Sequence, residues 1–307
     1  MSMERSTAEL FISSVALLAE EHPDVALLNG SDVRFSAASF VFLDAPLGAQ
    51  ALTLIASGLA LGGRRVFVGS PAASLVGQAY EQIRSAVAIP GLPVCLVGLD
   101  AGFCPGRTGA PCQIFEDVAL MRSLPNMAIL EPADQASLDS LLREAAGRDG
   151  PSYLRLGEAS LRPSEPLSAS LRVGGGTILR VGEDITICAC GIMVREALKA
   201  AEVLSQQDIR AEVIDCYSLQ PFPSRLVLSS LQRTGCCVTA EEHFLSGGLF
   251  EIVSGLASRE HPVPVQPVAL QNDFGQSGAP QELREYYGLT AAQIVSAAVL
   301  AWTRRRR

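Results

Sequence analysis

The sequence predicts an α/β protein built on two parallel sheets, and three observations carry that expectation. Short apolar runs alternate with helical patterns, the alternation fails once near the middle, and 307 residues that are 48% hydrophobic and 18% charged suffice for two cores. Apolar strands that alternate with helices pair in parallel beneath covering helices.

Phe11, Val15 and Leu18 recur at i, i+4 and i+7, marking a helix that stops at Glu21-His22-Pro23. Residues 25–28 read as a buried strand. The pattern at 48–60 puts Leu52, Ile55 and Leu59 on one helical face, and Gly62-Gly63 ends it before a strand at 66–68. Helix 79–87, strand 94–97, helix 115–122, strand 127–130, helix 134–146 and strand 153–156 complete the first series. Between 161 and 181 periodicity gives way to Pro163, Pro166, Ser168, Ser170 and Gly174-Gly175-Gly176. The expected division is therefore a domain at 1–160, a linker at 161–181 and a second domain at 182–307. That second series reads as strand 184–190, helix 194–205, strand 211–215, helix 224–232, strand 236–240, helix 249–258, strand 265–269 and helix 291–302.

A net charge of -8, with no basic stripe apart from the tail Arg304 to Arg307, argues against nucleic acid as a partner. No apolar run reaches the roughly 18 residues of a membrane span. The first helix carries Glu4, Arg5, Glu9, Glu20 and Glu21, unlike a signal peptide, so a cytoplasmic location away from membranes is expected. Among eight cysteines, Cys95, Cys188, Cys190, Cys216 and Cys237 lie in or beside apolar runs and read as small buried hydrophobes. No Cys-x-x-Cys spacing occurs and His22, His243 and His261 are scattered, so no metal site is expected in this chain.

Four motifs stand in order in the second half: Gly182-Glu183-Asp184-Ile185-Thr186-Ile187; Gly191-Ile192-Met193-Val194 with Glu196 to Ala201; Glu241-Glu242-His243 with Gly247-Gly248; and Asp273-Phe274-Gly275-Gln276-Ser277-Gly278. Together they resemble the C-terminal domain of transketolases and deoxyxylulose-phosphate synthases. Tyr80 to Arg84, Glu116 to Arg122, Leu124-Pro125-Asn126-Met127 and Pro132-Ala133-Asp134 resemble the pyrimidine-binding domain of the same thiamine diphosphate enzymes. The chain lacks the Gly-Asp-Gly segment with a downstream Asn that holds metal and diphosphate in that family. A diphosphate needs Mg²⁺ and oriented donors. The resemblance therefore implies a split enzyme: an N-terminal subunit carrying Gly-Asp-Gly holds Mg²⁺ and the diphosphate, thiamine diphosphate lies between the chains, and heterodimers pair. The implied activity is transfer of a two-carbon ketol or acyl unit to a small-molecule substrate. The alternatives are an inactive subunit kept as scaffold or regulator, and the beta subunit of a 2-oxoacid dehydrogenase, which the Asp273 to Gly278 wording disfavours.

Four departures from the family touch its cofactor-facing wall. The position of the usual glutamate, which protonates the aminopyrimidine ring, is Ala49, and a methyl group cannot move a proton. Gln50 is about 100 degrees around the helix and its amide is no useful acid. Residues 70–76, where relatives place aromatics, contain none; the loop between Asp32 and Ala49 is shorter than in relatives; and Cys112 replaces a histidine. By resemblance the cofactor-facing positions are Ala49, Ala72, Leu75 and Gln78, the substrate-facing ones Asp32, Arg84 and Cys112, and the candidate catalytic ones Gln50, Cys112 and Gln113. Glu116, Asp117 and Arg122 are spaced for a local ion-pair network. Arg84 and Arg155 are each read as reaching either a sugar phosphate or acids at a subunit interface. Glu241, Glu242 and His243 are expected to buttress the contact between the two halves.

Overall fold

The structure, a computed structural model, describes residues 6–33, 41–44, 47–157 and 171–305. Most of the loop expected to be trimmed before Ala49, and much of the expected linker, lie outside them.

Helix α1 (Thr7–Glu21) begins at Ser6, whose hydroxyl accepts from the Glu9 N–H while the Glu9 carboxylate accepts from the Ser6 N–H. It feeds β1 (Val25–Asn29), every residue of which is buried. β2 (Val41–Asp44) lies parallel beside β1 and precedes α2 (Ala49–Leu61) and β3 (Arg65–Pro71). A continuous helical rod follows, with π turns at Ala73–Gln78 and Ile83–Ala88 flanking α3 (Ala79–Gln82). Next come β4 (Val94–Leu99), two 3-10 turns at Gly106–Thr108 and Ala110–Cys112, α4 (Asp117–Arg122) and β5 (Ala128–Leu130). Asp134 caps α5 (Gln135–Ala146), which returns to β6 (Ser152–Arg155).

The second half runs β7 (Thr177–Arg180), β8 (Ile185–Ala189), α6 (Met193–Ser205), β9 (Ala211–Asp215), β10 (Ser218–Gln220) and α7 (Ser224–Thr234). It closes with β11 (Cys237–Phe244), α8 (Leu249–Glu260), β12 (Val265–Leu270), α9 (Pro280–Tyr286) and α10 (Ala291–Arg304). Among the described residues the strands form two sheets, in the orders β10-β5-β6-β4-β3-β1-β2 and β12-β11-β8-β9-β7. The fold is the expected α/β pair of mostly parallel sheets.

Two edge strands depart from it. β7 pairs antiparallel with β9 inside the segment expected to be linker, and its half-exposed residues present no apolar run to read. β10, only three residues long, comes from the second half yet pairs antiparallel with β5 of the first sheet. The Glu131 N–H donates to the Tyr217 carbonyl at 2.8 Å at the same edge. Side chains continue the join, because one apolar cluster extends from Ile129 and Tyr153 of the first sheet to Cys188, Ile214 and Leu249 of the second half. The five cysteines expected in apolar runs are all buried. Among the described residues no helix is long and apolar enough to cross a membrane, and no group of His, Cys, Asp and Glu side chains is placed to hold a metal ion.

Candidate functional site

Charged groups gather where the two sheets meet. Arg155, at the end of β6, donates from Nε to Asp117 Oδ1 and Oδ2 at 3.1 and 2.9 Å, from Nη1 to Glu131 Oε1 at 2.8 Å and from Nη2 to the Glu242 carbonyl at 2.9 Å. Tyr153 donates its hydroxyl to Asp117 Oδ2 at 2.6 Å. All of these side chains are buried, and buried charges are tolerated when paired in this way. Burial lowers the Arg155 guanidinium, yet Asp117, Glu131 and Glu242 more than offset that and hold it charged. Asp117 thus pairs with Arg155 rather than with Arg122, whose guanidinium donates to the Gly247 carbonyl. Arg155 is an interior strut, not a phosphate ligand or a subunit-interface residue.

Strand β11 supplies the other half of this seam. The Glu241 carboxylate accepts from the N–H groups of Leu249 and Phe250 at 2.6 and 2.8 Å, filling the first turn of α8. A Cβ on Gly248 would press on that carboxylate and force it to shift. Burial pushes Glu241 up to about 8 against the pull of those donors. His243 donates from Nδ1 to the Phe244 carbonyl at 2.7 Å and accepts at Nε2 from the Ala119 N–H of α4 at 3.3 Å. Burial lowers it to about 4, so the imidazole is neutral at pH 7 and its 4.0 Å approach to Glu241 is not an ion pair there. Glu242 lies 3.6 Å from Arg284, beyond hydrogen-bond range, and burial raises it. His243 and the Glu242 carbonyl join β11 to α4 and β6 of the first half, whereas Glu241 joins α8 to β11 within the second half.

The candidate cofactor wall has no charge of this kind. Ala49, Ala72 and Leu75, respectively 4%, 1% and 0% exposed, belong to the same apolar cluster. Gln78 is exposed, and its carbonyl accepts from Gln50 Nε2 at 3.0 Å, which ties the start of α2 to the helical rod. Beside this wall a cleft of about 170 Å³ is lined by Ala73, Gly77, Gln113, Glu116, Phe274 and Gly275 among others. Buried Gln113 donates from Nε2 to the carbonyls of Gly106 and Gln276 at 3.3 and 3.1 Å, fastening the 273–278 loop to the first half. A Cβ on Gly275 would strike Gln113 Oε1. Cys112 is exposed on the adjoining 3-10 turn.

Other site candidates stand apart. Asp32 is exposed after β1, and exposed Arg84, 4.0 Å from Glu81, lines a separate cleft of about 610 Å³ with Tyr80, Ser123 and Asn126. Glu116 is the carboxylate of the smaller cleft of about 170 Å³, although the sequence reading gave it to a local ion-pair network. Its proximity to Asp117 and Arg122 in sequence suggested pairing, whereas its Oε2 accepts from the Phe115 N–H at 3.0 Å.

This layout matches the model described as the pyrimidine binding domain of transketolase over residues 12–164 and the transketolase C-terminal domain over 174–294. The chain belongs to the transketolase family. It is 38% identical over 80% of its length to 76% of a 6-deoxy-6-sulfo-D-fructose transketolase subunit from Clostridium sp. strain MSTE9. It is 35% identical over 82% of its length to 80% of a putative transketolase C-terminal section from Methanocaldococcus jannaschii. Against the 1-deoxy-D-xylulose-5-phosphate synthase 1 of Geobacter sulfurreducens it is 33% identical and spans 47% of that protein. Among solved structures, a split-gene transketolase in an inactive beta4 tetramer superimposes with TM-score 0.88 at 36% identity, covering 98% of this chain and 99% of that one.

Family membership implies use of thiamine diphosphate. Ala49, Ala72 and Leu75 are apolar side chains packed into the core of the first half. None of Ala49, Gln50, Ala72, Leu75 and Gln78 carries a group that exchanges a proton near neutral pH. The residues present do not fit the proton-transfer half of the family's site.

Proposed function

We propose that this chain is the C-terminal subunit of a two-chain transketolase-like protein of the cytoplasm. In this reading it pairs with an N-terminal subunit that carries Gly-Asp-Gly and holds Mg²⁺ and the diphosphate, self-associates so that two heterodimers combine, and takes part in transfer of a two-carbon ketol or acyl unit. The observation that supports it most is the end-to-end match with a separate split-gene chain, against a match to only about half of the single-chain synthase. Self-association rests on the beta4 assembly of that same relative. This chain's part is to offer the apolar wall and the Gln113-held cleft, while proton movement at the ring falls to a group outside Ala49, Gln50, Ala72, Leu75 and Gln78.

Ala49 also favours a second reading, a subunit kept for its scaffold and partner surfaces after loss of catalysis. Copurification with the N-terminal chain, followed by calorimetric titration of thiamine diphosphate with Mg²⁺, separates the two. Tight binding with turnover by the unmutated pair supports the enzyme. Absence of both, with binding restored by Ala49→Glu, supports the scaffold. A chain that forms no complex with an N-terminal subunit overturns both readings.

A further inference from the structure

Among the described residues, β12 forms one edge of the second sheet, and a cleft of about 450 Å³ opens where that edge meets α10. It shares no lining residue with the smaller cleft at Gln113. Val268 and Leu270 of β12 pack in one cluster with Ile294 and Ala298 of α10, and Gln266, at the same alternation along the strand, shares that face. From α10 come Gln293, Ser296, Ala297 and Leu300, one side of the helix at i, i+3, i+4 and i+7. Tyr286 and Gly288, where α9 gives way to α10, complete the lining.

The lining is polar without being charged. It includes no Asp, Glu, Lys, Arg or His, in a chain whose net charge is -8. Among the described residues, the side-chain amides of Gln266, Gln271 and Gln293 hydrogen-bond no protein group, and each offers both a donor and an acceptor. Tyr286 adds an aromatic surface that is 74% exposed. Its ring stands at 77° to that of Tyr287, with centroids 5.1 Å apart. Tyr287 is itself fixed, because it stacks on Phe103 at 5.1 Å and donates its hydroxyl to the Phe274 carbonyl at 3.1 Å. The perpendicular contact braces Tyr286 while most of its surface stays open.

Two kinds of occupant fit poorly. The Cys237 N–H donates to the Pro264 carbonyl and the Leu245 N–H to the Leu270 carbonyl. Alternate residues of a parallel strand turn both backbone groups to the same neighbour, so Val265, Pro267 and Ala269 turn outward. Pro267 has no N–H, which removes the middle donor of that edge and disfavours an added strand. A phosphorylated ligand finds no cation in the lining. Amides that donate and accept match hydroxyl groups, which do the same, and an open aromatic ring matches the C–H face of a sugar.

We propose that this cleft binds an uncharged sugar, with Tyr286 as the stacking platform and Gln266, Gln271 and Gln293 bonding its hydroxyls. The site is separate from the one at Gln113 and does not depend on the function proposed above. The test titrates the full chain with D-glucose, D-fructose and maltose by saturation-transfer NMR, with fructose 6-phosphate and adenosine as comparators. Saturable binding of at least one neutral sugar is expected, weakened at least about 10-fold by Tyr286→Ala and about 3- to 10-fold by Gln293→Ala. Both variants change exposed positions on different helices, so an unchanged far-UV spectrum is expected of each. Tyr80→Ala, in the cleft at Arg84, is expected to leave sugar binding unchanged. No saturable binding of any of the three sugars up to about 50 mM overturns the proposal, as does sugar binding that Tyr286→Ala and Gln293→Ala both leave intact. Tighter binding of fructose 6-phosphate or adenosine, lost in Tyr286→Ala, overturns the assignment to neutral sugars.

Discussion

The seam between the sheets and the wall around Ala49 are opposite in chemistry. At the seam, Arg155, Asp117, Glu131 and Tyr153 are buried and hydrogen-bonded to one another. At the wall, Ala49, Ala72 and Leu75 are buried with no polar group among them. The seam shows that the interior tolerates charge where each group has partners. The wall shows close apolar packing with no ionisable group among those three side chains. In this chain, buried charge holds the two halves in register, and the wall contributes shape.

Substitutions at the two regions break or sharpen that contrast. The largest effect is expected for Arg155→Met, which strands Asp117 and Glu131 as uncompensated carboxylates and costs about 3–5 kcal/mol by urea unfolding. A loss below about 1 kcal/mol would place the seam's charges in a wetter setting than the geometry indicates. Next is Leu75→Ala, where an apolar wall that is true core loses about 2–4 kcal/mol, whereas a ligand-lining position open to a cavity loses less.

The third test is of pH. Glu241, raised from 4.5 to about 8, keeps in the folded state a proton that the unfolded chain sheds, so its contribution makes stability fall as pH rises through that window. His243, lowered from 6.5 to about 4, has the opposite sign below 6.5, because there the unfolded chain binds the extra proton. The two slopes oppose each other up to about pH 6.5 and only the Glu241 decline remains above it. Glu241→Gln is expected to flatten urea midpoints between about pH 6.5 and 8. An unaltered slope would assign the decline to another group. The smallest effect is expected for Gln50→Ala, which removes an exposed link to Gln78 and changes stability by no more than about 0.5 kcal/mol.

Elements whose signal is local were legible. Buried runs such as Ala211–Asp215 and the Asp134 start of α5 stand where their apolar pattern and cap residue put them. What escaped depended on distant partners. Arg155 lies 38 residues from Asp117 and meets it because β6 and α4 converge, while spacing alone favoured Arg122. β7 and β10 are short edge strands whose pairing comes from β9 and β5, without a hydrophobic run of their own. Glu116 was visible as a carboxylate, but its place in a cleft follows from the 273–278 loop folding back on Gln113. That Ala49 is no carboxylate and that residues 70–76 hold no aromatic are facts of sequence, whereas the exposed leucines of α2 needed the sheet to show which face was already covered.

The strand β10 has a consequence for anyone dividing this protein. A fragment stopping after β6 would leave the outer backbone groups of β5 without their antiparallel neighbour, an open edge of the kind that recruits strands from other molecules. The two halves are thus expected to express poorly as separate pieces and to complement each other when coexpressed, the second donating Ser218–Gln220 as a lace that closes the first.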